Sequence, residues 1–405
     1  MRRVPVRLAL AAAIAVGGVA VVAQPRPEGR IVAIGDVHGS LSGLVGILKA
    51  TGLIDDARHW AGGTTTLVQT GDLTDRGAEV RGVLDLMMAL EDEAPKARGK
   101  VEQVLGNHEV MNLLGDLRDA TPEICAAFAD ADSAKTRDRA WGEYEDLIAA
   151  RARTRPQETP AAYTRTKEAW LAAYPAGCIE YRQALGPRGP YGRWLRGRPI
   201  AVQVGDSVFM HAGPNPSSEV SVADLNSKAR QEIERFDRFL QRLVDARLAR
   251  PWFRFEDILS VAAAEIRWTG ARLADAKAKG ETPNLEGIDV DLVREASDVL
   301  QIGTWSLLAG EGPLWYRGYA NAADEALQGR VVSLLSRWKA SRIVVGHTVN
   351  RDYRIHSRFG RVFLIDTGML APVYKGTASA LEIVGPTTTA LYPDGTRTPL
   401  RAATP

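Results

Sequence analysis

The sequence predicts an α/β fold in which short parallel strands alternate with helices. Three apolar runs, Ile31–Ile34, Thr66–Gln69 and Val101–Leu105, each break into a glycine-flanked loop with an acidic residue. Two later runs, Val208–Met210 and Arg342–Val345, end in a loop that contains glycine and histidine. Because the carboxyl ends of parallel strands share one edge of a sheet, we expect these loops to converge there.

Helical patterns follow the first two loops. Apolar residues recur three or four positions apart after the first loop, at Leu41, Leu44, Ile47 and Leu48. They recur in the same way after the second loop, at Val80, Val83, Leu84 and Met87. This spacing predicts amphipathic helices, and the strand, loop and helix order is that of βαβ units.

The loops carry carboxylate, imidazole, amide and guanidinium groups. Those of the first three loops are Asp36, His38, Asp72, Asp75, Arg76, Asn107 and His108. Two more of the six histidines, His211 and His347, end the later runs. Nitrogen and oxygen ligands without thiolate suit divalent manganese, iron, zinc, cobalt or nickel. Two such ions, about 3.5 to 4 Å apart, would activate a water between them and clamp phosphoryl oxygens.

The loop motifs resemble those of the calcineurin-like metallophosphoesterases, in particular the PPP-type protein phosphatases. They are Gly-Asp-x-His-Gly, Gly-Asp-x-x-Asp-Arg-Gly, Gly-Asn-His-Glu, His-Ala-Gly and Gly-His. The extension from Gly106 to Arg118 is similar to the Shewanella-like protein phosphatases. The resemblance covers residues 30–118, 199–216 and 312–370. It implies a two-sheet αββα sandwich with inserted helical segments.

The resemblance also implies a role for each loop residue. The first metal ligands would be Asp36, His38 and Asp72, and the second set would be Asp72, Asn107, His211 and His347. His108 would protonate the leaving oxygen and Asp75 would orient it. Arg76 would bind the phosphate, and Arg317 is the candidate for a second phosphate-binding arginine. Manganese is the expected metal, with iron or zinc as alternatives.

The expected activity is metal-dependent hydrolysis of a phosphomonoester by attack of a dimetal-bound water. Phosphotyrosine in a protein or peptide is the expected substrate, since the resembling branch favours it and a phenol is a better leaving group than an alkoxide. Alternatives are a diadenosine polyphosphate hydrolase, a phosphoserine or phosphothreonine phosphatase, and a metal-dependent binding module without turnover. Asp75 and His108 together argue against a pure binder, which needs no proton donor.

Length, charge and the N-terminal segment limit the number of domains, the possible partners and the location of the protein. The chain has 405 residues and a formal charge of +2, so we expect one large domain with insertions or two domains, and no nucleic-acid binding. Residues 1–23 resemble a signal peptide, with arginines followed by an apolar stretch too short for an ordinary membrane span. An uncleaved membrane anchor is the alternative. Either way we expect export to the periplasm or outside the cell, with residues 24–29 as a linker.

Two segments interrupt the strand pattern of the domain expected over residues 30–396. Residues 116–195 and 221–308 read as helical insertions, either a cap over the site with an aromatic rim or an inert surface addition. The only two cysteines, Cys125 and Cys178, lie in the first insertion. In an exported protein they are expected to form a disulfide, and two unrelated buried thiols are the alternative.

Three minor expectations concern the rest of the chain. Asp366 either tunes a metal-bound histidine or caps a turn. His59 and His356 are expected to lie outside the site. Residues 397–405 are expected to form a disordered tail after a closing hairpin.

Overall fold

A computed structural model of the protein describes residues 29–155, 164–282 and 287–401. The predicted signal peptide, and all of the predicted linker except residue 29, lie outside the described residues. Within them the strands are β1 (Ile31–Ile34), β2 (Thr66–Gln69), β3 (Lys100–Gln103), β4 (Ala201–Val204), β5 (Ser207–Met210), β6 (Arg342–Val345), β7 (His356–Arg358), β8 (Val362–Leu364), β9 (Ala380–Val384), β10 (Thr387–Leu391) and β11 (Arg397–Leu400).

Helices surround these strands and fill the two insertions. They are α1 (Leu41–Ala50), α2 (Val80–Glu93), α3 (Asn107–Leu114), α4 (Pro122–Phe128), α5 (Ser133–Thr154), α6 (Lys167–Ala173), α7 (Cys178–Ala184), α8 (Pro190–Arg196), α9 (Val222–Asp245), α10 (Phe255–Ala278), α11 (Val290–Val299), α12 (Gly318–Asn321), α13 (Asp324–Trp338) and α14 (Ala371–Tyr374). None of the helices in the described ranges is long and apolar enough to cross a membrane.

The strands form two sheets. One has the order β11-β10-β9-β1-β2-β3 and the other the order β4-β5-β6-β8-β7. Strands β1, β2 and β3 run parallel to one another, as do β5, β6 and β8, whereas β4, β7, β9, β10 and β11 pair antiparallel with their neighbours. The predicted disordered tail was wrong for 397–400, because β11 pairs with β10 and extends the first sheet.

The sheets pack face to face through alternate residues of their strands. Ile31 and Ala33 of β1 belong to an apolar core that also contains Phe209 and Val344 from the second sheet. Their neighbours in sequence point the other way, into the larger core shared with the helices. Since side chains alternate along a strand, this division places both sheets between helical layers and confirms the predicted αββα sandwich.

Strand register brings the site loops together. In the first sheet Ile34 pairs with Gln69, and Gln69 pairs with Gln103, so three strands end side by side. In the second sheet Met210 pairs with Val345, which places the two histidine loops next to each other. All five loops therefore leave the sandwich at the same edge.

The helical insertions have an aromatic core of their own. Ring contacts link Trp141, Tyr144, Trp170 and Tyr174 of the first insertion to Trp252 and Phe253 of the second. The expectation that these aromatic residues rim the site was wrong, because they bury one another instead. The predicted disulfide is confirmed: Cys125 of α4 is bonded to Cys178 of α7.

Candidate metal centre

Several site residues have strained backbone conformations. Five of them lie in the left-handed region with φ between 47° and 69°, namely His38, Asp72, Asp75, Arg76 and His347. For a residue with a β-carbon this region costs on the order of 1 kcal/mol or more. Such conformations persist only where surrounding hydrogen bonds impose them, so the loops need dense internal bonding.

Glu109 provides much of that bonding. Its buried carboxylate accepts hydrogen bonds from the amides of Asp72 at 2.7 Å, Leu73 at 2.8 Å and Thr74 at 3.0 Å. It also accepts from the amide of Gly106 at 2.8 Å. The second and third loops are thereby tied to one carboxylate. Glu109 was not among the predicted site residues, although its position three residues after Gly106, the N-cap of α3, is a known capping position.

Asp36 and Asp72 form the centre of the site. Asp72 accepts the amide of His108 at 3.1 Å through Oδ1, and its Oδ2 lies 3.5 Å from His38 Nε2 and 3.4 Å from His211 Nε2. Asp36 accepts the amide of His347 at 3.0 Å. Asp72 Oδ2 thus lies between two imidazoles, in the position that a bridging ligand requires.

Three histidines present a bare nitrogen to this centre. His38 Nδ1 donates to the carbonyl of Thr74 at 3.0 Å, and His211 Nδ1 donates to that of Thr70 at 3.1 Å. His347 uses Nε2 instead, against a carbonyl at 3.2 Å. A ring nitrogen that donates to a carbonyl leaves the other nitrogen of a neutral ring with its lone pair free.

The donor set fits divalent cations. His211 Nε2 faces His347 Nδ1 at 3.0 Å and Asn107 Oδ1 at 2.8 Å, so lone pairs point at one another. Burial lowers the pKa of His38 and His211 well below the usual value, which keeps both rings neutral. Two buried groups that share Asp72 have ligand atoms within 4.8 Å of one another: His38, Asp72 and His108, and Asp72, His211 and His347.

The buried carboxylates of the site also suit a positively charged ligand. Burial, with repulsion from Asp366 and Asp72, raises the pKa of Asp36 well above its usual range. Burial raises the pKa of Asp72 to about 7. Clustered carboxylates in a dry site are stable in charged form only beside cations. The residues therefore fit a group that brings at least two positive charges into this space.

His108 differs from the other histidines because its partner is a carboxylate. Its Nδ1 lies 2.8 Å from Asp75 Oδ2, and its Nε2 lies 3.9 Å from Asp72 Oδ2. Burial lowers the pKa of His108, but the charge of Asp72 and the hydrogen bond and charge of Asp75 outweigh this effect and raise it to about 9. His108 is therefore the ring suited to hold a proton.

Arginines line the entrance to the centre. A cavity of about 150 Å³ is lined by Asp72, Arg76, Asn107, His108, Met111, Arg118, Asp119, Trp315, Arg317 and His347. Arg76 Nη1 lies 3.0 Å from His38 Nε2, and Arg317 Nη1 donates to the carbonyl of His347 at 2.9 Å. Both predicted phosphate-binding arginines are thus at the cavity.

Four other residues that line the cavity were not predicted: Met111, Arg118, Asp119 and Trp315. Arg118 forms a bidentate pair with buried Asp116, and the indole of Trp315 lies 6.0 Å from the His347 ring. Two of the four had a signal in the sequence, since Arg118 ends the extension of the third motif and Trp315 lies two residues before Arg317. Of the first insertion, Arg118 and Asp119 line the cavity.

Of the remaining candidates, Asp366 contacts a predicted ligand, whereas His59 and His356 pair with carboxylates that are not among the predicted site residues. Asp366 accepts the amide of Gly368 at 3.0 Å, which is the turn-capping role, and its carboxyl lies against Asp36 and not against a histidine. His59 is exposed and pairs with Glu93, and His356 pairs with Asp352.

Comparison with protein families gives one match across more than half of the chain. The calcineurin-like phosphoesterase model matches residues 29–256. This range includes the first three site loops, the first insertion, the His211 loop and part of the second insertion.

Two protein phosphatases match over shorter regions. Shewanella-like protein phosphatase 2 of Arabidopsis thaliana is 36% identical over 204 residues, which cover 46% of this chain and 47% of that protein. Shewanella-like protein phosphatase 1 of Plasmodium berghei is 29% identical over 208 residues, 51% of this chain and 45% of that protein. Each alignment thus spans about half of the relative's length.

A solved structure extends the likeness to the whole fold. The cold-active protein-tyrosine phosphatase of a psychrophilic Shewanella species superposes with a TM-score of 0.52 at 22% sequence identity. The match covers 92% of this chain and 80% of that one. At this identity it shows that the two proteins share a fold.

Proposed function

The chain belongs to the calcineurin-like phosphoesterase family, and on that premise we propose that it is a metal-dependent phosphomonoesterase. One observation carries the proposal: Asp72 Oδ2 lies 3.5 Å from His38 Nε2 and 3.4 Å from His211 Nε2, directly beside the His108–Asp75 pair. A metal-binding module would need the ligands alone. The added proton donor and the arginine-lined cavity are the parts that a hydrolase requires.

Asp36, His38 and Asp72 would hold one divalent ion, and Asp72, Asn107, His211 and His347 the other. When bound, the ions would activate a water for attack on phosphorus and neutralise charge on the phosphoryl oxygens. We propose manganese as the native metal, since the donors are oxygens and imidazoles without thiolate. Elemental analysis of protein purified without added metal tests this assignment.

The side chains around the ligands would complete the reaction. Arg76 and Arg317 point guanidinium groups at the cavity and would hold the anionic oxygens of the phosphoryl group. Asp75 keeps Nδ1 of His108 engaged, so the proton at Nε2 is directed towards the cavity. His108 would give this proton to the leaving oxygen as its bond to phosphorus breaks.

We propose phosphotyrosine as the substrate class. The similar Shewanella structure is named a protein-tyrosine phosphatase, and Trp315, whose ring lies 6.0 Å from the His347 ring, is among the residues that line the cavity. A flat indole can stack against the phenyl ring of phosphotyrosine, whereas phosphoserine has no ring to stack. The phenol also leaves more readily than an alkoxide.

The proposal is tested with metal-loaded protein and a substrate panel. We expect hydrolysis of para-nitrophenyl phosphate, loss of that activity with a chelator, and faster turnover of phosphotyrosine peptides than of phosphoserine or phosphothreonine peptides. Faster turnover of diadenosine tetraphosphate than of any peptide would reassign the substrate. No hydrolysis of any of these with manganese, iron or zinc would overturn the enzymatic function.

We also propose that the protein works after export, in the periplasm or outside the cell. The Cys125–Cys178 disulfide supports this, because such bonds persist in oxidising compartments. Cell fractionation of the full-length chain tests the location, and recovery of the disulfide-free protein from the cytoplasm would contradict it.

A further inference from the structure

A hydrogen-bond path connects the first insertion to the proton donor. Helix α7, tied to α4 by the disulfide, carries Tyr181, whose side chain is fully buried. The Tyr181 hydroxyl donates to Oδ1 of Asn112 on α3 at 2.8 Å. Asn112 lies one helical turn after His108, at the base of the site. Tyr181 is not among the residues that line the cavity, so it contacts α3 from within the protein interior.

Asn112 connects Tyr181 to the two segments that carry His108 and Asp75. Its Nδ2 donates to the carbonyl of His108 at 2.9 Å and reaches Thr74 Oγ1 at 3.3 Å. Thr74 directly precedes Asp75 in the second loop, and the nearby Asn112 amide lowers the pKa of Asp75 against the larger raising effect of burial. These contacts require the Asn112 NH₂ group to face the site and its oxygen to face away.

Tyr181 and the His108 carbonyl together fix which way the Asn112 amide faces. A carboxamide can rotate by half a turn, but the turned amide would set its oxygen against the His108 carbonyl oxygen, which can only accept, and would leave the Tyr181 hydroxyl without its acceptor. Burial raises the pKa of Tyr181 well above its usual value, and the nearby charges of Asp75 and Glu109 raise it further, so the phenol stays protonated. A protonated phenol in this position favours the orientation with Asn112 Oδ1 towards it.

We propose that Tyr181 is a positioning residue, which acts through Asn112 to hold Asp75 and His108 in the geometry for proton donation to the leaving group. This inference rests on the proposed phosphatase function. Substitution Tyr181→Phe keeps the ring that packs on Phe128 at 4.8 Å but removes the donor. Asn112 Oδ1 then stays buried without its hydrogen-bond donor, so the amide is held less firmly and the His108–Asp75 pair loses one of its supports.

A second tyrosine provides a matched control. Tyr191 of α8 also packs on Phe128, at 5.8 Å, and its hydroxyl donates at 2.6 Å to Asp85 of α2, away from the site. Tyr191→Phe therefore removes a similar hydroxyl from the same aromatic cluster without touching Asn112. Differences between the two variants report on the Tyr181 contact and not on lost packing.

The test compares two aryl phosphates, because a misplaced proton donor matters most when the leaving group is poor. In Tyr181→Phe we expect kcat on phenyl phosphate to fall about tenfold, kcat on para-nitrophenyl phosphate to fall less, and KM to stay unchanged. In Tyr191→Phe neither substrate should be affected. Equal losses on both substrates, or no loss on phenyl phosphate, would overturn the inference.

A spectroscopic measurement separates this inference from the proposed function. In metal-free protein the His108 Nδ1 proton, held by Asp75, should give a downfield proton resonance that is identified by its loss in His108→Asn. We expect it to shift or broaden in Tyr181→Phe and to remain in Tyr191→Phe. If wild-type protein hydrolyses neither aryl phosphate, the phosphatase proposal fails, and an unchanged resonance in Tyr181→Phe overturns the positioning role independently.

Discussion

The site loops and the helical insertions of this protein are stabilised in different ways. The loops are held by hydrogen bonds to backbone amides, with Glu109 alone accepting four of them, and several residues have strained φ angles. The insertions are held by stacked aromatic rings, by ion pairs such as Arg155–Glu265, and by one disulfide.

This contrast suggests that the site loops determine turnover and that the insertions determine stability. Polar, strained loops fix atoms to within a fraction of an ångström but contribute little apolar burial. Aromatic clusters contribute much burial and tolerate small shifts. We therefore expect substitutions in the loops to change turnover with little loss of stability, and substitutions in the insertions to do the reverse, apart from the Tyr181 contact.

The largest effect on turnover is expected for His108→Asn. Loss of the proton donor should lower kcat by about 10²- to 10⁴-fold, the usual range for a general acid. Thermal unfolding and bound metal should stay close to wild type. A matching loss of metal by elemental analysis would instead make His108 a ligand, which its distance to Asp72 also allows.

The largest effect on stability is expected for Trp170→Ala. Trp170 is 1% exposed and contacts Trp141, Tyr144, Tyr174 and Trp252. Its removal should cost about 3 to 5 kcal/mol, as for other buried aromatic residues. Urea unfolding measures this loss, while turnover of the folded protein at low temperature should remain. A well-folded but inactive variant would show that the aromatic core supports the site directly.

The disulfide should have an intermediate effect. Its cysteines are 53 residues apart, and the double substitution Cys125→Ser and Cys178→Ser should lower the free energy of unfolding by about 2 to 4 kcal/mol. Chemical denaturation of the oxidised wild type against the variant measures it. Equal stability would mean that packing of α4 on α7 already restrains this insertion.

The smallest effect is expected for Arg317→Lys. Lysine keeps the charge but cannot present two parallel donors to a phosphoryl group, so KM should rise about tenfold with a smaller change in kcat. Arg118→Lys is the matched comparison, since Arg118 lies at the same cavity with part of its guanidinium engaged by Asp116. A larger rise in KM for Arg118→Lys would indicate that Arg118, and not Arg317, is the second phosphate-binding arginine.

Much of the site follows from the sequence because its signals are local. A strand that ends in a glycine-flanked loop can be read from a few residues, and several such strands in a βαβ pattern must end at one edge. The convergence of Asp36, Asp72, His211 and His347 was predicted in this way. The cysteine pair was equally legible, since the chain offers only one pairing.

Contacts between distant segments could not be read in this way. The pairing of β11 with β10 depends on a hairpin register that the polar sequence of residues 397–400 does not indicate. The aromatic residues of the insertions were visible, but whether they faced the cavity or one another depended on how two separate insertions pack. Apolar side chains bury against whichever surface is nearest, so composition alone does not select the partner.

The sequence by itself determined the alternation of strands and helices, the edge at which the loops meet and the donor types available there, because strand and helix patterns and loop chemistry are local properties of the chain; the αββα class followed from the resemblance of its motifs to a known family. Only the tertiary structure decided which ring nitrogens face inward, that Glu109 binds two loops together, and that Tyr181 reaches Asn112. Those features depend on hydrogen bonds between residues far apart in sequence, whose angles and distances are set by packing.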